Sequence, residues 1–174
     1  MKKFELTSET KINIFGKKLF RIKALISFAD VEAGETGGWV EKEGNVNQSG
    51  DAWVYGNAEV SGNAKVSGDA KVYGNAKVSG DAEVSGDADV SGDAWVSGNA
   101  EVYGNADYTT IHGFGTQFRT TTFFRCKDKK VRVACGCFFG TIPEFREQVK
   151  NTRKGKIAEE YLMIADLMEN HFEK

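Results

Sequence analysis

The sequence predicts a mainly β protein, in which a short parallel β-helix lies between an N-terminal β-hairpin cap and a small C-terminal α+β domain. Three observations predict this fold. A six-residue repeat fills residues 50–109, two strand-like segments precede it, and a hairpin pattern with two helical patterns follows it. The expected domains are residues 1–37, 38–109 and 110–174.

The repeat unit is Gly, Asp or Asn, Ala, a variable residue, Val, and Ser or Tyr, and it recurs ten times with few exceptions. Its Ala and Val lie two positions apart, so in an extended segment both point to one face and the variable residue points to the other. Gly and its Asp or Asn neighbour supply a corner, because both tolerate a positive φ angle. The pattern therefore favours a three-sided solenoid with a narrow interior of Ala and Val.

Three repeats make one coil of eighteen residues, so residue i should stack on residue i+18. Residues 38–43 and 44–49 have the pattern of two degenerate repeats, which brings the prediction to about four coils. The offset also predicts oppositely charged neighbours on adjacent coils. These pairs are Glu59 with Lys77, Lys65 with Glu83, and Lys71 with Asp89.

The repeat resembles the hexapeptide motif of left-handed β-helix proteins, in which an aliphatic residue is followed by a small one four positions later, as in Val54 and Ala58. The segments KLFRIKALISFADVEAGETGGWVEKEGNVNQSGDAWVYGNAEV (18–60) and VACGCFFGTIPEF (133–145) resemble uncharacterised hexapeptide-repeat proteins of bacteria and their phages. These resemblances imply a left-handed winding, a homo-oligomer with a trimer as the first expectation, and a phage-related protein that sequesters a host molecule.

Both ends of a solenoid expose strand edges that need covering. Residues 11–27 predict two strands with a turn at Gly16 and Lys17. Apolar side chains of this hairpin should cover the first coil, namely Phe15, Leu19, Phe20, Ile22 and Leu25.

The last 65 residues change character, because the Gly repeats stop and Phe, Arg, Cys and Thr appear. Residues 120–138 predict a hairpin that turns at Asp128 and Lys129, with Cys126 opposite Val131. That register places all three Cys on one apolar face. The spacing of Thr141 and Glu144 predicts a capping box at the start of the first of two helices.

Composition excludes several classes of protein. The chain has 174 residues and a net charge of −2, with no apolar run near the roughly 20 residues of a membrane span. Three Cys without an export signal predict a cytoplasmic protein with free thiols. Residues 50–109 carry a net −7 and residues 110–174 a net +4. The acidic middle disfavours duplex nucleic acid, because it would repel the phosphate backbone.

We expect no catalytic residue, no metal and no cofactor. Many hexapeptide-repeat acyltransferases use a His base on a loop that breaks the repeat, whereas residues 50–109 have neither an insertion nor a His. An acyltransferase that uses His112 stays an alternative. Corner geometry explains the Asp and Asn of the repeat without calcium. Cys126, Cys135 and Cys137 suit packing on an apolar face, although with His112 they could also ligate Zn²⁺.

A basic hairpin is the strongest candidate for a ligand site. Six of the residues from Phe118 to Arg132 are positive and one is acidic, with aromatic rings among them. Arginine forks and aromatic faces suit phosphates and bases. The predicted ligand-binding residues are Arg119, Arg125, Arg132, Lys127, Lys130 and Phe123.

Aromatic residues at outward positions of the repeat predict a partner or oligomer surface. These residues are Trp53, Trp95, Tyr55, Tyr73 and Tyr103. The patterns predict a non-enzymatic protein that binds a small anionic, nucleotide-like ligand, and the resemblance to phage-borne proteins implies that it sequesters a host ligand or binds a host partner. A structural scaffold or tail-associated rod is the second expectation, and the sequence determines neither the ligand nor the number of subunits.

Overall fold

A computed structural model describes residues 1–173, and it is mainly β, as predicted. The N-terminal strands are β1 (Phe4–Ile12), β2 (Lys18–Ala24) and β3 (Thr36–Val40), followed by a 3-10 turn at Glu43–Asn45. The short strands of the solenoid are β4 (Trp53–Val54), β5 (Glu59–Val60), β6 (Lys65–Val66), β7 (Lys71–Val72), β8 (Lys77–Val78), β9 (Glu83–Val84), β10 (Asp89–Val90), β11 (Trp95–Val96) and β12 (Glu101–Val102). The C-terminal elements are β13 (Tyr108–Phe114), β14 (Arg119–Arg125), β15 (Val131–Cys135), β16 (Phe138–Thr141), α1 (Ile142–Thr152) and α2 (Gly155–Phe172).

The solenoid has three faces of parallel strands, with the predicted offset of eighteen residues between coils. One face stacks β3, β5, β8 and β11, a second stacks β4, β7 and β10, and a third stacks β6, β9 and β12. The Ala and Val of the nine repeats from residue 50 to residue 103 are at most 1 % exposed and form the interior. The predicted tenth repeat leaves the solenoid, because Ala106 is exposed and Tyr108 begins β13. All three predicted charge pairs lie in register, namely Glu59 with Lys77, Lys65 with Glu83, and Lys71 with Asp89.

The first coil is two residues longer than predicted. Val40 pairs with Val60, and Val46 pairs with Val66, so the offset here is twenty. The two degenerate repeats therefore start two residues earlier than expected, and Gln48 and Ser49 are the extra residues. The side chain of Gln48 explains the insertion, because its amide oxygen accepts from the backbone N–H of Lys3 at 2.8 Å and of Phe4 at 3.2 Å. The insertion thus attaches the N-terminal strand to the solenoid.

The N-terminal hairpin forms, but it lies along the side of the solenoid rather than over the first coil alone. Strand β2 pairs antiparallel with both β1 and β3, so the hairpin extends one face of the solenoid. Lys11 reaches Glu59 at 2.8 Å, and the ring of Phe15 lies 5.4 Å from that of Trp95 in the last coil of this face. Leu19 and Ile22 are buried as predicted, Phe20 is half-buried, and Phe15 and Leu25 stay partly exposed.

Strands β13 to β16 form one antiparallel sheet that lies between two cores. The predicted register of the hairpin was wrong by one residue, because Phe123 pairs with Val133 and Phe124 with Arg132. A three-residue loop, in which Lys129 has a positive φ (65°), replaces the two-residue turn predicted at Asp128 and Lys129. The face with Phe124 and Cys126 therefore packs on the solenoid, and the face with Phe123 packs on α1 and α2.

Helix α1 starts at the predicted capping box. The Thr141 hydroxyl accepts from the backbone N–H of Glu144, and the Glu144 carboxylate accepts from the N–H of Thr141 at 2.7 Å. Within residues 1–173, no helix is both long and apolar enough to cross a membrane.

Candidate ligand site

The six residues predicted to bind a ligand do not come together. Phe123 is fully buried and packs edge-on against Phe145, so it cannot stack on a base. Strand alternation sends Arg125 toward the helices and Arg132 to the opposite face of the sheet, because Arg132 pairs with Phe124. The expected convergence of the arginines depended on the register that the structure corrects.

Three of these cations also have protein partners. The Nη2 of Arg125 donates to the carbonyl oxygen of Phe172 at 3.0 Å, and its Nε lies 3.4 Å from Asp107. Arg132 contacts Asp128 at 2.6 Å, and Lys127 contacts Glu83 at 3.0 Å. Lys130 is exposed beside an apolar groove on the other side of the helices. The contacts of Arg125 and Lys127 attach this hairpin to neighbouring elements, whereas the contact of Arg132 lies within the hairpin.

Arg119 differs from the other predicted residues, because it faces a cleft together with Arg153. Arg119 begins β14, and Arg153 follows the last turn of α1. Between them lie Cys135 at the end of β15 and Tyr161 on α2. Within residues 1–173, neither guanidinium has a carboxylate within salt-bridge distance. The cleft therefore contains two positive charges that the described part of the protein does not neutralise.

The cleft consists of two adjacent cavities with volumes of about 160 and 180 Å³. Both cavities are lined by Arg119, Cys135, Arg153 and Tyr161. The first continues along the turn between β13 and β14, and its further lining residues are Phe114, Gly115, Thr116 and Gln117. The second continues toward α1, and its further lining residues are Cys137, Phe138, Phe145, Gln148, Val149 and Thr152.

Two glycines allow the walls of the cleft to approach each other. Gly115 has a φ of 74°, and a Cβ at this position would lie 2.6 Å from the Tyr161 hydroxyl. That hydroxyl donates to the carbonyl oxygen of Phe114 at 3.2 Å, which holds the turn against α2. Gly136 also has a positive φ, and the Arg119 guanidinium lies directly against it. The side chain of Arg119 is thus packed over the turn between β15 and β16.

Besides the two arginines, the polar groups of the cleft are hydroxyls, amides and a thiol. Burial raises the pKa of Tyr161, so its phenol stays a neutral hydrogen-bond donor at physiological pH. The thiol sulfur of Cys135 accepts from the Thr121 hydroxyl at 3.1 Å. With two guanidiniums above these groups, the arrangement suits an anion that accepts several hydrogen bonds.

The aromatic residues of the predicted partner surface are dispersed. Trp53 was expected to be exposed but is fully buried, because Phe4 and Phe28 pack on it with ring centroids 5.8 and 5.4 Å away. Phe15, at the tip of the N-terminal hairpin, partly covers Trp95. Tyr55 and Tyr73 share one corner of the solenoid, and Tyr103 lies at another; Tyr73 and Tyr103 are the most exposed, at 40 % and 47 %.

The cysteines do not share one face, as the corrected register requires. Cys126 is buried at the end of the solenoid, where burial raises the pKa of its thiol to about 11. Cys135 lies in the cleft, and Cys137 is exposed at its rim. His112 is exposed on β13, with Nδ1 3.1 Å from the Thr120 hydroxyl. Among residues 1–173, no group of three or more His, Cys, Asp or Glu side chains could hold a metal ion.

Sequence reasoning identified Arg119 but missed Arg153, Tyr161 and Gln148. The sequence does contain a signal for Arg153. The apolar face of α1 is predicted to pack on the β14–β15 hairpin, and Arg153 directly follows α1, so it is expected near the edge of the C-terminal sheet. No protein-family model matches this chain, and no curated protein matches it.

Proposed function

We propose that this protein binds and sequesters a small anionic ligand in the cleft between Arg119 and Arg153. One observation carries the proposal: both guanidiniums face the same cleft, and neither has a carboxylate partner within residues 1–173. Arg125, Arg132 and Arg146 each have at least one carboxylate partner. Arg21 has none, but it donates to the carbonyl oxygen of Gly56 at 3.1 Å and lies over the ring of Trp39. Arginines that serve only the fold are expected to have protein partners of these kinds, whereas a binding site keeps its cations free for the ligand.

Binding rather than turnover fits the rest of the cleft. The Tyr161 phenol has a raised pKa, which makes it a donor rather than a base. The Cys135 sulfur accepts a hydrogen bond from Thr121, and Cys137 is at the rim. A small anion also meets less repulsion from the acidic solenoid than a long nucleic acid does, because its charge stays within the cleft instead of extending along the protein surface.

The test is calorimetric titration of the whole protein with inorganic phosphate and with sulfate at low ionic strength. We expect the wild type to bind at least one of these anions. The substitutions Arg119→Gln and Arg153→Gln should each weaken binding about tenfold or more, because a charge-assisted hydrogen bond contributes about 1.5–3 kcal/mol. The double variant should not bind measurably.

Lys150→Gln is the matched control. Lys150 lies on α1 near the cleft, pairs with Glu147 at 3.0 Å and does not line either cavity. Its loss removes one positive charge but no ligand contact, so affinity should change less than twofold or so. Absence of binding by the wild type, or unchanged binding by the double arginine variant, would refute the proposal.

A further inference from the structure

We propose that the ligand of this cleft is a phosphate monoester of a flat, ring-containing compound, with the phosphate in the first cavity and the ring in the second. This inference rests on the proposed anion binding and adds the class of ligand. It follows from the difference in lining between the two cavities, from their size, and from the position of Arg119 where they join.

The two cavities differ in their chemistry. The first is closed by the turn that contains Thr116 and Gln117, which offers polar groups and little apolar surface. The second has a larger apolar share in its lining, which includes the half-buried ring of Phe138 and the edges of Phe145 and Val149, each 3 % exposed. An anion should bind most favourably in the first cavity, where it finds hydrogen-bond donors, and a ring should bind most favourably against the aromatic and aliphatic wall of the second. One ligand that uses both cavities therefore needs an anionic end and an apolar, flat end.

Polar side chains at the mouth of the second cavity suit the edge of a heterocycle. Gln148 carries an amide that can donate and accept, and it is exposed on α1. The Thr152 hydroxyl donates to the carbonyl oxygen of Gln148 at 2.6 Å, so its own oxygen remains able to accept. Arg119 lines both cavities, and its planar guanidinium can bind the phosphate and stack on the ring.

Size limits the ligand to one phosphate and one ring system. Each cavity alone, at about 160 or 180 Å³, is smaller than the roughly 300 Å³ typical of the smallest ligand pockets, and the two together reach about that size. A chain of several phosphates would extend from the first cavity into solvent, where the described residues provide no second pair of arginines. Monophosphates should therefore bind more tightly than the corresponding triphosphates.

Cys137 provides a readout that distinguishes the two cavities. It lines only the second cavity, and it is exposed. The rate at which Cys137 reacts with N-ethylmaleimide, an uncharged reagent, can be followed by peptide mass spectrometry. Methyl phosphate carries the anion alone, phenyl phosphate adds a ring, and the four common nucleoside 5′-monophosphates add a heterocycle with polar edges.

We expect phenyl phosphate and at least one nucleoside monophosphate to bind about tenfold more tightly than methyl phosphate and to slow the alkylation of Cys137 at saturation. Methyl phosphate at saturation should leave the alkylation rate nearly unchanged. Gln148→Ala should weaken binding of the nucleoside monophosphate without affecting methyl phosphate. Asn151→Ala, on the same helix but outside both cavities, should affect neither.

The outcomes separate this inference from the proposal on which it rests. If methyl phosphate binds in an Arg153-dependent manner but the ring adds no affinity, or if ring compounds bind without protecting Cys137, the anion site stands and the bipartite ligand is wrong. If no phosphate compound binds, both ideas fail. Binding of a ring compound that survives Arg119→Gln together with Arg153→Gln would also overturn the inference, since the phosphate would then have another site.

Discussion

Lys3 shows how a single side chain can complete a strand edge. Its residue is 2 % exposed, and its Nζ donates to the carbonyl oxygens of Gly50 at 3.1 Å and Ala52 at 2.7 Å. In the next coil the corresponding carbonyls, of Gly68 and Ala70, accept from backbone N–H groups of the coil before. The first coil has no such neighbour on this face, so the ammonium group supplies the missing donors.

Burial of this ammonium predicts an unusual dependence of stability on pH. Burial lowers the pKa of Lys3 from 10.5 to about 8, with Asp51 acting in the opposite direction. Between these values the unfolded chain holds a proton that the folded chain has lost, so Lys3 makes the free energy of unfolding increase as pH rises from about 8 toward 10.5. The increase is of the order of 2–3 kcal/mol, at about 1.4 kcal/mol per pKa unit.

Urea unfolding of the wild type and of Lys3→Met at several pH values from 7.5 to 9.5 measures this effect. The difference in unfolding free energy between the two proteins should shift in favour of the wild type as pH rises. Lys2→Met, at the exposed neighbour, is the control for loss of one charge. Parallel pH profiles for wild type and Lys3→Met would show that Lys3 is not the cause.

The role of Lys3 could not be predicted from the sequence, and neither could the burial of Trp53. Both depend on contacts with partners more than twenty residues away, Lys3 with Ala52 and Trp53 with Phe4 and Phe28. The pattern of the repeat correctly assigns Trp53 to an outward position. It cannot show that the N-terminal segment then covers that position.

The regular repeats of the solenoid, by contrast, could be predicted in detail, although the two-residue insertion in the first coil could not. Each repeat carries its own corner and its own pair of inward side chains, so local rules determine both the strand and the coil length. The C-terminal hairpin lacks this redundancy, and its register depends on one loop. The loop has three residues, with Lys129 at a φ of 65°, and shifts β15 by one residue against β14. Val131, Val133 and Cys135 therefore share the face of Phe123, whereas the sequence predicted the face of Phe124. The predicted ligand site depended on the same incorrect register, and therefore Arg119 is its only member that lines the observed cleft.

The corner glycines predict a graded response to substitution. At Gly80 φ is 69°, and a Cβ would lie 2.8 Å from the backbone nitrogen of Gly98 in the next coil. At Gly92 φ is 64°, but a Cβ would meet no atom within 4 Å. Gly92→Ala should therefore cost about 1 kcal/mol from backbone strain alone, whereas Gly80→Ala should cost at least about 2 kcal/mol more, because the two coils must separate.

Chemical denaturation of the two alanine variants tests this difference, since both lie at equivalent corners of the same kind of repeat. Equal destabilisation would mean that backbone strain, not the spacing of the coils, requires glycine at these corners. The measurement thus shows whether glycine is required by the backbone conformation of the corner alone or by close contact between adjacent coils.

At the scale of the whole molecule, different parts of the chain cover the two ends of the solenoid. At the first coil, a different group donates hydrogen bonds to the strand edge on each of the three faces. On one face the donors are backbone N–H groups of β3 and of the residue after it, and on the second the donor is the Asn45 amide, which binds Gly62 and Ala64. On the third face the donor is Lys3. At the last coil, the Thr122 hydroxyl accepts from the N–H of Trp95. In the part of the chain that the structure describes, these groups occupy edge positions at both ends, which argues against a rod that grows by end-to-end stacking.

The C-terminal sheet joins the last coil to the helices, because one strand contributes to both cores. Phe124 belongs to the core of the solenoid and Phe123 to the core around the helices, and both are fully buried. The backbone continues this connection, since Ala100 and Cys126 form a bridge and Arg125 donates to Asp107 at 2.9 Å. A strand shared in this way should make the two cores unfold together.

Two spectroscopic signals report separately on the two cores. All three Trp lie in residues 39–95, and both helices lie in residues 142–172. Tryptophan fluorescence therefore follows the solenoid, and circular dichroism at 222 nm is dominated by the helices. In a urea titration of the wild type the two transitions should coincide. Phe123→Ala, which removes a ring only from the helix side, should lower both midpoints equally, by an amount that corresponds to about 3–5 kcal/mol.

Met163→Ala is the control, because Met163 is 69 % exposed on α2 and its loss should move neither midpoint measurably. If Phe123→Ala shifts the dichroism transition and leaves the fluorescence transition in place, the helices unfold independently of the solenoid. The cleft between Arg119 and Arg153 would then belong to a unit that can open on its own, because β14 supplies one arginine and the end of α1 the other. Coincident transitions mean instead that the cleft can open by unfolding only when the solenoid unfolds as well.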